Sequence, residues 1–467
     1  KLPCPDLIFK ISYFLRNGYT ITEINKITKV DCWFLDQLNN LVNLEALLKD
    51  KVLHDIDSML MFNLKRAGFS DPYIANLIGD TEENVREYRH CLNIFPIYKR
   101  VDSCAAEFET STSYLYSSYD EECESNPSNN KKVLILGSGP NRIGQGIEFD
   151  YSCTHSALQL RKAGFEVIMV NSNPETVSTD FNISDKLYFE PLTFEHVYEI
   201  INKEKPLGVI YQFGGQTPLK LISNLEKAGV KLLGPNSNII NLTEDRELFQ
   251  KFLTEQNIPT FLSLNISSAD EIISKEFKYP IILRPSYVIG GRYMEIIYNI
   301  SELKAYIEKN NIKVDDTKLF IEEFIEDAIE LDVDLIYDGE SVFFCGIMEQ
   351  VEHAGVHSGD SIAVFPTFSL NQSLSIKVKS YSEKIAIGLN AIGPMNIQFA
   401  VKDDSVYVIE VNLRSSRTVP FLSKATNINI PGIASLCLLG RTLKEQNVNL
   451  DYNQQNLKNY FIKMPIF

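Results

Sequence analysis

The sequence predicts an α/β protein built from an all-α N-terminal domain, a doubly wound parallel sheet and a C-terminal α+β part. Three observations predict it. Apolar residues recur at helical spacing through residues 1–96. From Lys132 onward, short apolar runs end in glycine-rich turns that open helices. Towards the C-terminus, apolar runs alternate with period 2 about a polar turn, as paired strands do. A chain of 467 residues has room for roughly two to four domains and needs no metal or disulfide to hold a core. The expected division is a helical domain over 1–96, a connector over 97–130, the parallel-sheet domain over 131–240 and the last domain over 241–467.

Composition narrows the partners. Hydrophobic content of 44% and charged content of 23% are ordinary for a globular protein. A net charge of −16 argues against nucleic acid or an anionic membrane as a general partner. An acidic chain that handles phosphates must concentrate positive charge locally, so the placement of arginines is informative. The eight cysteines form no C-x-x-C pair and suit a reducing compartment, with the cytoplasm expected. No run approaches 18 apolar residues, so no membrane span is expected, and no signal-peptide pattern opens the chain. With Lys first and Phe last, the sequence is expected to be a piece of a longer polypeptide.

In the helical domain, Ile8, Ile11, Phe14 and Leu15 share a face and stop at Asn17-Gly18. Trp33 to Leu41 and Leu44 to Leu48 continue the spacing. Met59, Met61 and Leu64 run into a basic last turn, Lys65-Arg66-Ala67-Gly68. Asp80-Thr81-Glu82-Glu83 reads as an Asp-x-x-Glu start for a helix carrying Val85, Tyr88 and Leu92. The Met and aromatic positions, Trp33 included, read as core, and the lone His54 and His90 as structural or surface residues. No cluster here has catalytic geometry, so the domain reads as a packing or assembly unit. The Ser/Thr/Tyr-rich stretch that follows reads as a connector over the surface.

The parallel-sheet domain begins with a strand over 133–136, the turn Gly137 to Gly146, a helix containing Phe149-Asp150-Tyr151, and a strand over 167–170. A dinucleotide fold is the competitor, and two residues oppose it. Arg142 stands where the third glycine would fall. Asn171 ends the second strand where an acidic residue would hold a ribose. Further strands over 209–213 and 231–233 also leave through glycines, so these loops suit a small anionic group.

The arginines appear after residue 241. Glu244-Asp245-Arg246-Glu247 opens a helix. A strand over 281–284 ends in Arg284, and Gly290-Gly291 follows before Arg292. A Gly-Gly pair lets the backbone approach phosphate oxygens and lets a loop close as a lid. Residues 294–298 read as a strand, and 319–325 as a strand and hinge. Glu330, Asp332 and Asp334 alternate on one strand face; such a row is expected to be solvated, which leaves Glu330 as the candidate. His353 and His357 at i, i+4 would suggest zinc on a helix, but Gly355 and Gly359 make this a loop. It suits a phosphate or a ribose, with His357 as a neutral hydrogen-bonding group.

The last hairpin concentrates the chemistry. Its strands are 397–401 and 406–411, about Lys402-Asp403-Asp404-Ser405. Period 2 puts Val406, Val408, Glu410 and Asn412 on one face, with Gln398 opposite on the paired strand. Three oxygen donors without His or Cys suit Mg²⁺. Arg414 and Arg417 follow, and neither can lose its charge. A metal site beside two arginines describes a phosphate-handling centre; the alternative is a surface hairpin with a solvated end.

The motifs GSGPNRIGQGIEFDY, MVNSNPETVSTD, QFGGQTPLKL, RPSYVIGGR, EHAGVHSGDS and IEVNLRSSRTVPF occur in that order. Together the chain resembles the large chain of carbamoyl-phosphate synthetase over nearly its whole length. The resemblance implies an ATP-grasp domain behind a pre-ATP-grasp domain, with the helical part similar to the oligomerisation domain. The RPSYVIGGR form is similar to the second half, an ATP-dependent ligase that phosphorylates carbamate for pyrimidine or arginine synthesis. Alternatives are the bicarbonate-phosphorylating half, another ATP-grasp ligase, or a non-catalytic assembly or regulatory module.

The same resemblance assigns roles. Arg246 and Arg284 would contact nucleotide phosphates beneath a Gly290-Gly291 lid. Glu323 and Ile325 would lie at the adenine, Glu330 at the ribose, and Gly355, Val356, His357 and Ser358 along the nucleotide. Gln398, Glu410 and Asn412 would hold two divalent ions, Mg²⁺ or Mn²⁺, with Gln398 and Glu410 also against ATP. Arg414 and Arg417, with Arg292, would act on carbamate and the transferring phosphoryl group. A K⁺ site is expected near Glu330 and Glu352. The implied partners are the first synthetase half, a glutaminase domain or subunit, and further copies through the helical domain. Two departures stand out: Leu413 where the family carries proline, which would stiffen the approach to Arg414, and Gln350 and His353 around the K⁺ loop. The first half and the family's allosteric domain are expected outside this chain.

Overall fold

The computed structural model describes residues 4–105, 107–108, 110, 112–140, 146–261, 263–266, 279–285, 295–309, 319–352, 361–450, 454 and 457–465. It divides into two compact units, Lys1–Pro127 and Ser128–Phe467.

The first unit carries α1 (Leu7–Arg16), α2 (Ile21–Thr28), α3 (Cys32–Ala46), α4 (Ser58–Arg66), α5 (Asp71–Ile78) and α6 (Glu82–Cys91). Local chemistry explains where they start. Thr20 and Glu23 form a reciprocal capping box on α2, and Asp57 and Ser70 cap α4 and α5. At α6 the cap is Thr81, which accepts from the Asn84 amide; Asp80, the expected start, instead accepts from the Thr81 amide and the Asn84 side chain. Two small cores form. One gathers Ile11, Leu15, Ile24 and Leu35, and the other Met61, Leu64, Phe69, Ile74 and Val85 among others. Trp33 and Met59 do not join them. They are 62% and 75% exposed, and Phe9 is 74% exposed. Helices this short bury one narrow stripe, and the second apolar stripe is left facing outwards.

Asp71 is fully buried between two cations. Lys65 Nζ lies 2.8 Å from one carboxylate oxygen and Arg89 Nη2 2.8 Å from the other. Burial opposes its charge, but Lys65 and Arg89 together hold its carboxyl below the usual range. Asp71→Asn leaves two buried cations uncompensated and is expected to cost about 3–5 kcal/mol by chemical denaturation. A depressed carboxylate contributes stability above its unfolded pKa of about 3.9, and that contribution is lost as pH falls through the folded value. The mutant is therefore expected to lose part of the wild-type response to acid. The connector is not a plain loop: β1 (Ile97–Arg100) and β2 (Tyr114–Ser118) pair antiparallel and bury Tyr98 and Leu115. Alternating Tyr and Leu carry this ribbon inside a composition that reads as loop.

The second unit opens with five parallel strands in the order β5-β4-β3-β6-β7: β3 (Lys132–Leu136), β4 (Glu166–Asn171), β5 (Lys186–Phe189), β6 (Val209–Ile210) and β7 (Leu232–Leu233). The helices α7 (Glu148–Lys162), α8 (Phe194–Glu204), α9 (Gln216–Leu219) and α10 (Ile222–Lys227) connect them. Strand β3 is buried throughout, as a strand covered on both faces must be. Asn171 acts on the turn rather than on a ribose. Its Oδ1 accepts the Gly139 amide at 3.0 Å, and its Nδ2 donates to Ser178 Oγ at 3.3 Å. A Cβ on Gly137 would meet the Asn171 side chain at 2.6 Å, so only glycine lets that contact form.

Beyond α11 (Ser237–Glu244) and α12 (Arg246–Glu255) lie two antiparallel sheets. The smaller has β8 (Ser263–Ile266), β9 (Ile281–Pro285), β10 (Glu295–Ile297) and β11 (Leu319–Glu323) in the order β10-β9-β11-β8, with α13 (Ile300–Lys309) behind β10. The larger has β12 (Ile329–Tyr337), β13 (Val342–Gln350), β14 (Ala363–Phe365), β15 (Gly393–Lys402), β16 (Ser405–Asn412) and β17 (Phe461–Lys463) in the order β16-β15-β12-β13-β14-β17. Helices α14 (Gln372–Leu389), α15 (Val419–Thr426) and α16 (Ile430–Leu438) complete the unit, and α16 packs on α7. Among the described residues, no helix is long and apolar enough to cross a membrane.

Candidate active site

The β15–β16 hairpin forms as expected, but its faces differ from simple alternation. Gln398 pairs with Glu410 while Phe399 pairs with Val408, so Ile409 is an extra residue in a β-bulge. A bulge re-aims every side chain beyond it. Val406, Val408 and Val411 therefore face the core, and Glu410, which strict period 2 would put with Val408, points outwards and is exposed. The bulge places Glu410 and Asn412 on the face that already holds Gln398. Asn412 Nδ2 donates to Glu410 Oε1 at 2.9 Å. One carboxylate and two amides make a hard-oxygen set. It fits Mg²⁺ or the chemically similar Mn²⁺, which take one or two carboxylates and complete their shells with water and phosphate. A cluster of three or more His, Cys, Asp or Glu that could hold a metal by itself is absent among the described residues.

Arg414 is fixed from several directions. Its Nη2 donates to Asn412 Oδ1 at 3.1 Å, its Nε to Gln216 Oε1 at 3.2 Å and its Nη1 to the Ser415 carbonyl at 3.0 Å. The guanidinium carbon stands 5.2 Å from the centroid of the Phe149 ring. Burial pulls its pKa down to about 10; Glu410 opposes that shift and Arg417 adds to it. It stays charged near neutrality, in surroundings where a phosphate or carboxylate oxygen would relieve the cost of burial.

The turn before Arg414 is held by a residue that the sequence did not single out. Gln212, fully buried beyond the end of β6, donates from Nε2 to the Leu413 carbonyl at 2.8 Å. Its own carbonyl accepts the Ser415 amide at 2.9 Å. Ser415 Oγ lies 2.7 Å from Ser152 Oγ on α7. Leu413 is buried. The rigidity expected of a proline there is supplied by the parallel-sheet domain, which clamps the backbone on both sides of Arg414.

The acidic row on β12 is not solvated. Glu330, Asp332 and Asp334 are 7%, 2% and 2% exposed. Register puts Asp332 opposite Gln398 and Asp334 opposite Asn396, so these residues share the face of Glu410 and Asn412. Donors surround the two aspartates. Gln350 and Gln398 donate to Asp332, the latter at 3.3 Å, and Asn396 Nδ2 lies 3.4 Å from Asp332 Oδ1 and 3.2 Å from Asp334 Oδ1. Thr418 Oγ1 donates to Asp334. Burial raises both carboxyls, that of Asp334 to about 6 despite its donors from Thr418 and Ser416.

Arg246 begins α12, whose N-cap is Asp245, and pairs with Glu322 on β11. Burial lowers its pKa while Glu410 opposes the shift, so Arg246 reaches the field of the hairpin. Glu323 ends β11 and Ile325 lies in the loop that follows; both are half-buried. Arg284 lies on β9, paired with Phe320 of β11. Glu352 accepts from Ser361 Oγ and from the Ile362 amide, both at 2.7 Å, and the Ser361 bond leads in holding its carboxyl below the usual range. Gly290, Gly291, Arg292, His353, Gly355, Val356, His357 and Ser358 lie outside the described residues. The structure therefore brings together Gln398, Glu410, Asn412, Arg414 and Arg246, with Glu330 on the same sheet face.

Comparison with known proteins gives consistent matches along the chain. The model for the carbamoyl-phosphate synthetase large chain oligomerisation domain matches residues 1–93. That for the carbamoyl phosphate synthase preATP-grasp domain matches 129–242, and that for the L chain ATP binding domain matches 245–446. The carbamoyl phosphate synthase large chain of Neisseria meningitidis serogroup A is 47% identical over 99% of this chain and 44% of its own length. That of Xanthomonas campestris pv. campestris is 50% identical over 96% of this chain and 42% of its own. The chain thus spans less than half the length of these relatives. Among solved structures, biotin carboxylase from Campylobacter jejuni matches with a TM-score of 0.54 at 17% identity, over 68% of this chain and 73% of that one. An L-amino acid ligase from Bacillus licheniformis matches with a TM-score of 0.54 at 15% identity, over 69% and 78%. At such identity these two likenesses carry the fold alone.

Proposed function

The chain belongs to the carbamoyl phosphate synthase large-chain family, and from that premise we propose that its second unit phosphorylates carbamate with ATP. The products are carbamoyl phosphate and ADP. The observation that carries this assignment to the carbamate half is order along the chain: the oligomerisation-domain match lies directly ahead of the preATP-grasp and ATP-binding matches. The exposed apolar residues Phe9, Trp33 and Met59 are where further copies would pack. A first synthetase half and a glutaminase subunit would complete the pathway from nitrogen donor to carbamate, in the cytoplasm.

In the reaction, a carbamate oxygen attacks the γ-phosphorus in line. The bond from phosphorus to the β,γ-bridging oxygen breaks, and its electron pair leaves with ADP. Such a step asks the protein for positioning and charge neutralisation rather than for a nucleophile. Gln398, Glu410 and Asn412 would hold two divalent ions, Mg²⁺ or Mn²⁺, which supply charge neutralisation on the phosphates. Arg246 and Arg284 would bind phosphate oxygens, while Glu323, Ile325 and Glu330 would line the adenine and ribose. Gly355, Val356, His357 and Ser358 would line the nucleotide, with Gly290 and Gly291 as its lid, and Arg292 would act with Arg414 and Arg417 on the transferring phosphoryl group. Arg414 and Arg417 would orient carbamate and meet the charge of the transferring phosphoryl group. K⁺ would sit near Glu330 and Glu352.

The experiment is a calorimetric titration with MgADP, with and without carbamoyl phosphate. Tighter MgADP binding in its presence supports the carbamate half. MgADP binding indifferent to carbamoyl phosphate, with ATP hydrolysis strictly dependent on bicarbonate, would assign the site to the bicarbonate half. No MgADP binding at all would favour a non-catalytic assembly module.

A further inference from the structure

An amide ligand has a direction. For Gln398 to serve a metal its Oε1 must face the site, yet Oε1 and Nε2 are nearly the same size, and an unconstrained glutamine could present either. The structure supplies a constraint from beneath. Asp332 is 2% exposed, and its carboxylate accepts from Gln398 Nε2 at 3.3 Å. An ionised carboxylate can only accept, so every amide that faces it must offer nitrogen. Gln350 and Asn396 do the same from the two neighbouring strands. The polarity continues outward: Gln350 turns its Oε1 to Ser361 Oγ at 2.6 Å, a hydroxyl whose one proton is shared with Glu352. Asn396 also reaches Asp334, and Thr418 donates to that second carboxylate from the far side. The amides that face these carboxylates therefore each have one allowed orientation. Reversing Gln398 would set its carbonyl oxygen against the Asp332 carboxylate.

We propose that Asp332 is a positioning residue that fixes the direction of the Gln398 amide, so that its carbonyl oxygen is presented to a divalent metal. The proposal rests on reading Gln398, Glu410 and Asn412 as the metal site. It concerns a residue that would act on the metal set through Gln398.

The contact makes an unusual prediction. Asp332→Leu keeps volume and burial but offers no acceptor, so nothing holds the Gln398 nitrogen inward and the amide can present either end to the site. Gln398→Glu adds a carboxylate to the metal set, a change that ordinarily tightens a hard cation, but here it sets two carboxylates against each other. The double variant removes the conflict, because no carboxylate then faces the introduced glutamate and either of its oxygens can be presented outward. The measurement is Mn²⁺ binding by electron paramagnetic resonance of the free ion, with the whole chain and a non-hydrolysable ATP analogue. ADP affinity without metal and the thermal midpoint serve as controls.

Asp332→Leu is expected to weaken Mn²⁺ binding by about 10–100-fold, the range typical of an outer-shell partner, with metal-free ADP affinity within about two-fold. Gln398→Glu by itself is expected to weaken it as well, and the double variant to bind more tightly than either single. Should Asp332→Leu fail to fold, Gln398→Glu carries the test, and tighter Mn²⁺ binding there overturns the proposal. Wild-type affinity in a folded Asp332→Leu, or a double variant as weak as the two singles combined, overturns it too. Absence of nucleotide-dependent Mn²⁺ binding in the wild type would overturn the metal reading of the hairpin and this proposal with it.

Discussion

Glu410→Gln is expected to lower ATP-dependent carbamoyl phosphate formation by about 10²–10³-fold while the protein stays folded. Glu410 is the one carboxylate in its donor set, and its charge is also felt by Arg246 and Arg414, whose ionisation it supports against burial. An isosteric amide keeps the hairpin but removes the charge that all three roles use. Folding should be spared because the side chain is exposed at the end of β16. ADP release in a coupled assay and the circular dichroism spectrum check both halves of this expectation. Near-normal turnover would remove Glu410 from the chemistry.

The second large effect is expected at Arg414→Lys, which should lower kcat by about 10²-fold with little change in the KM for ATP. Lysine keeps the charge but not the planar fork. Arg414 uses three separate nitrogens to reach Asn412, Gln216 and the Ser415 carbonyl, over the Phe149 ring. A single ammonium cannot satisfy them all, and a misplacement of about 1 Å in such a site costs rate on that scale. If the group served ATP binding instead, KM would rise and kcat would hold. Steady-state kinetics with ATP and carbamate varied in turn separates the two.

The sequence exposed those parts of the site whose residues lie close together along the chain. Gln398, Glu410, Asn412 and Arg414 fall within one hairpin and its exit, so strand period and residue type sufficed to group them. The bulge at Ile409 was invisible because an extra residue changes no composition; it shows only in the pairing of Gln398 with Glu410 and of Phe399 with Val408. Period 2 put Glu330, Asp332 and Asp334 on one face correctly but could not say what covers it. The covering comes from Asn396 and Thr418, distant in sequence, and it converts a row expected to be solvated into a buried network. Gln212 was missed for the same reason, since its partner Leu413 is far away along the chain. Trp33 and Met59 failed in the opposite sense. Helical spacing marks an apolar stripe, not whether a partner within the same chain buries it.

The central claim is that this cleft transfers a phosphoryl group between ATP and carbamate. Run backwards, the reaction needs only MgADP and carbamoyl phosphate, both stable enough to add directly. The account predicts ATP formation from that mixture, detected with luciferase, that depends on the divalent metal and is lost in Glu410→Gln. A chain that binds MgADP and hydrolyses ATP with bicarbonate, yet makes no ATP from carbamoyl phosphate, would contradict it.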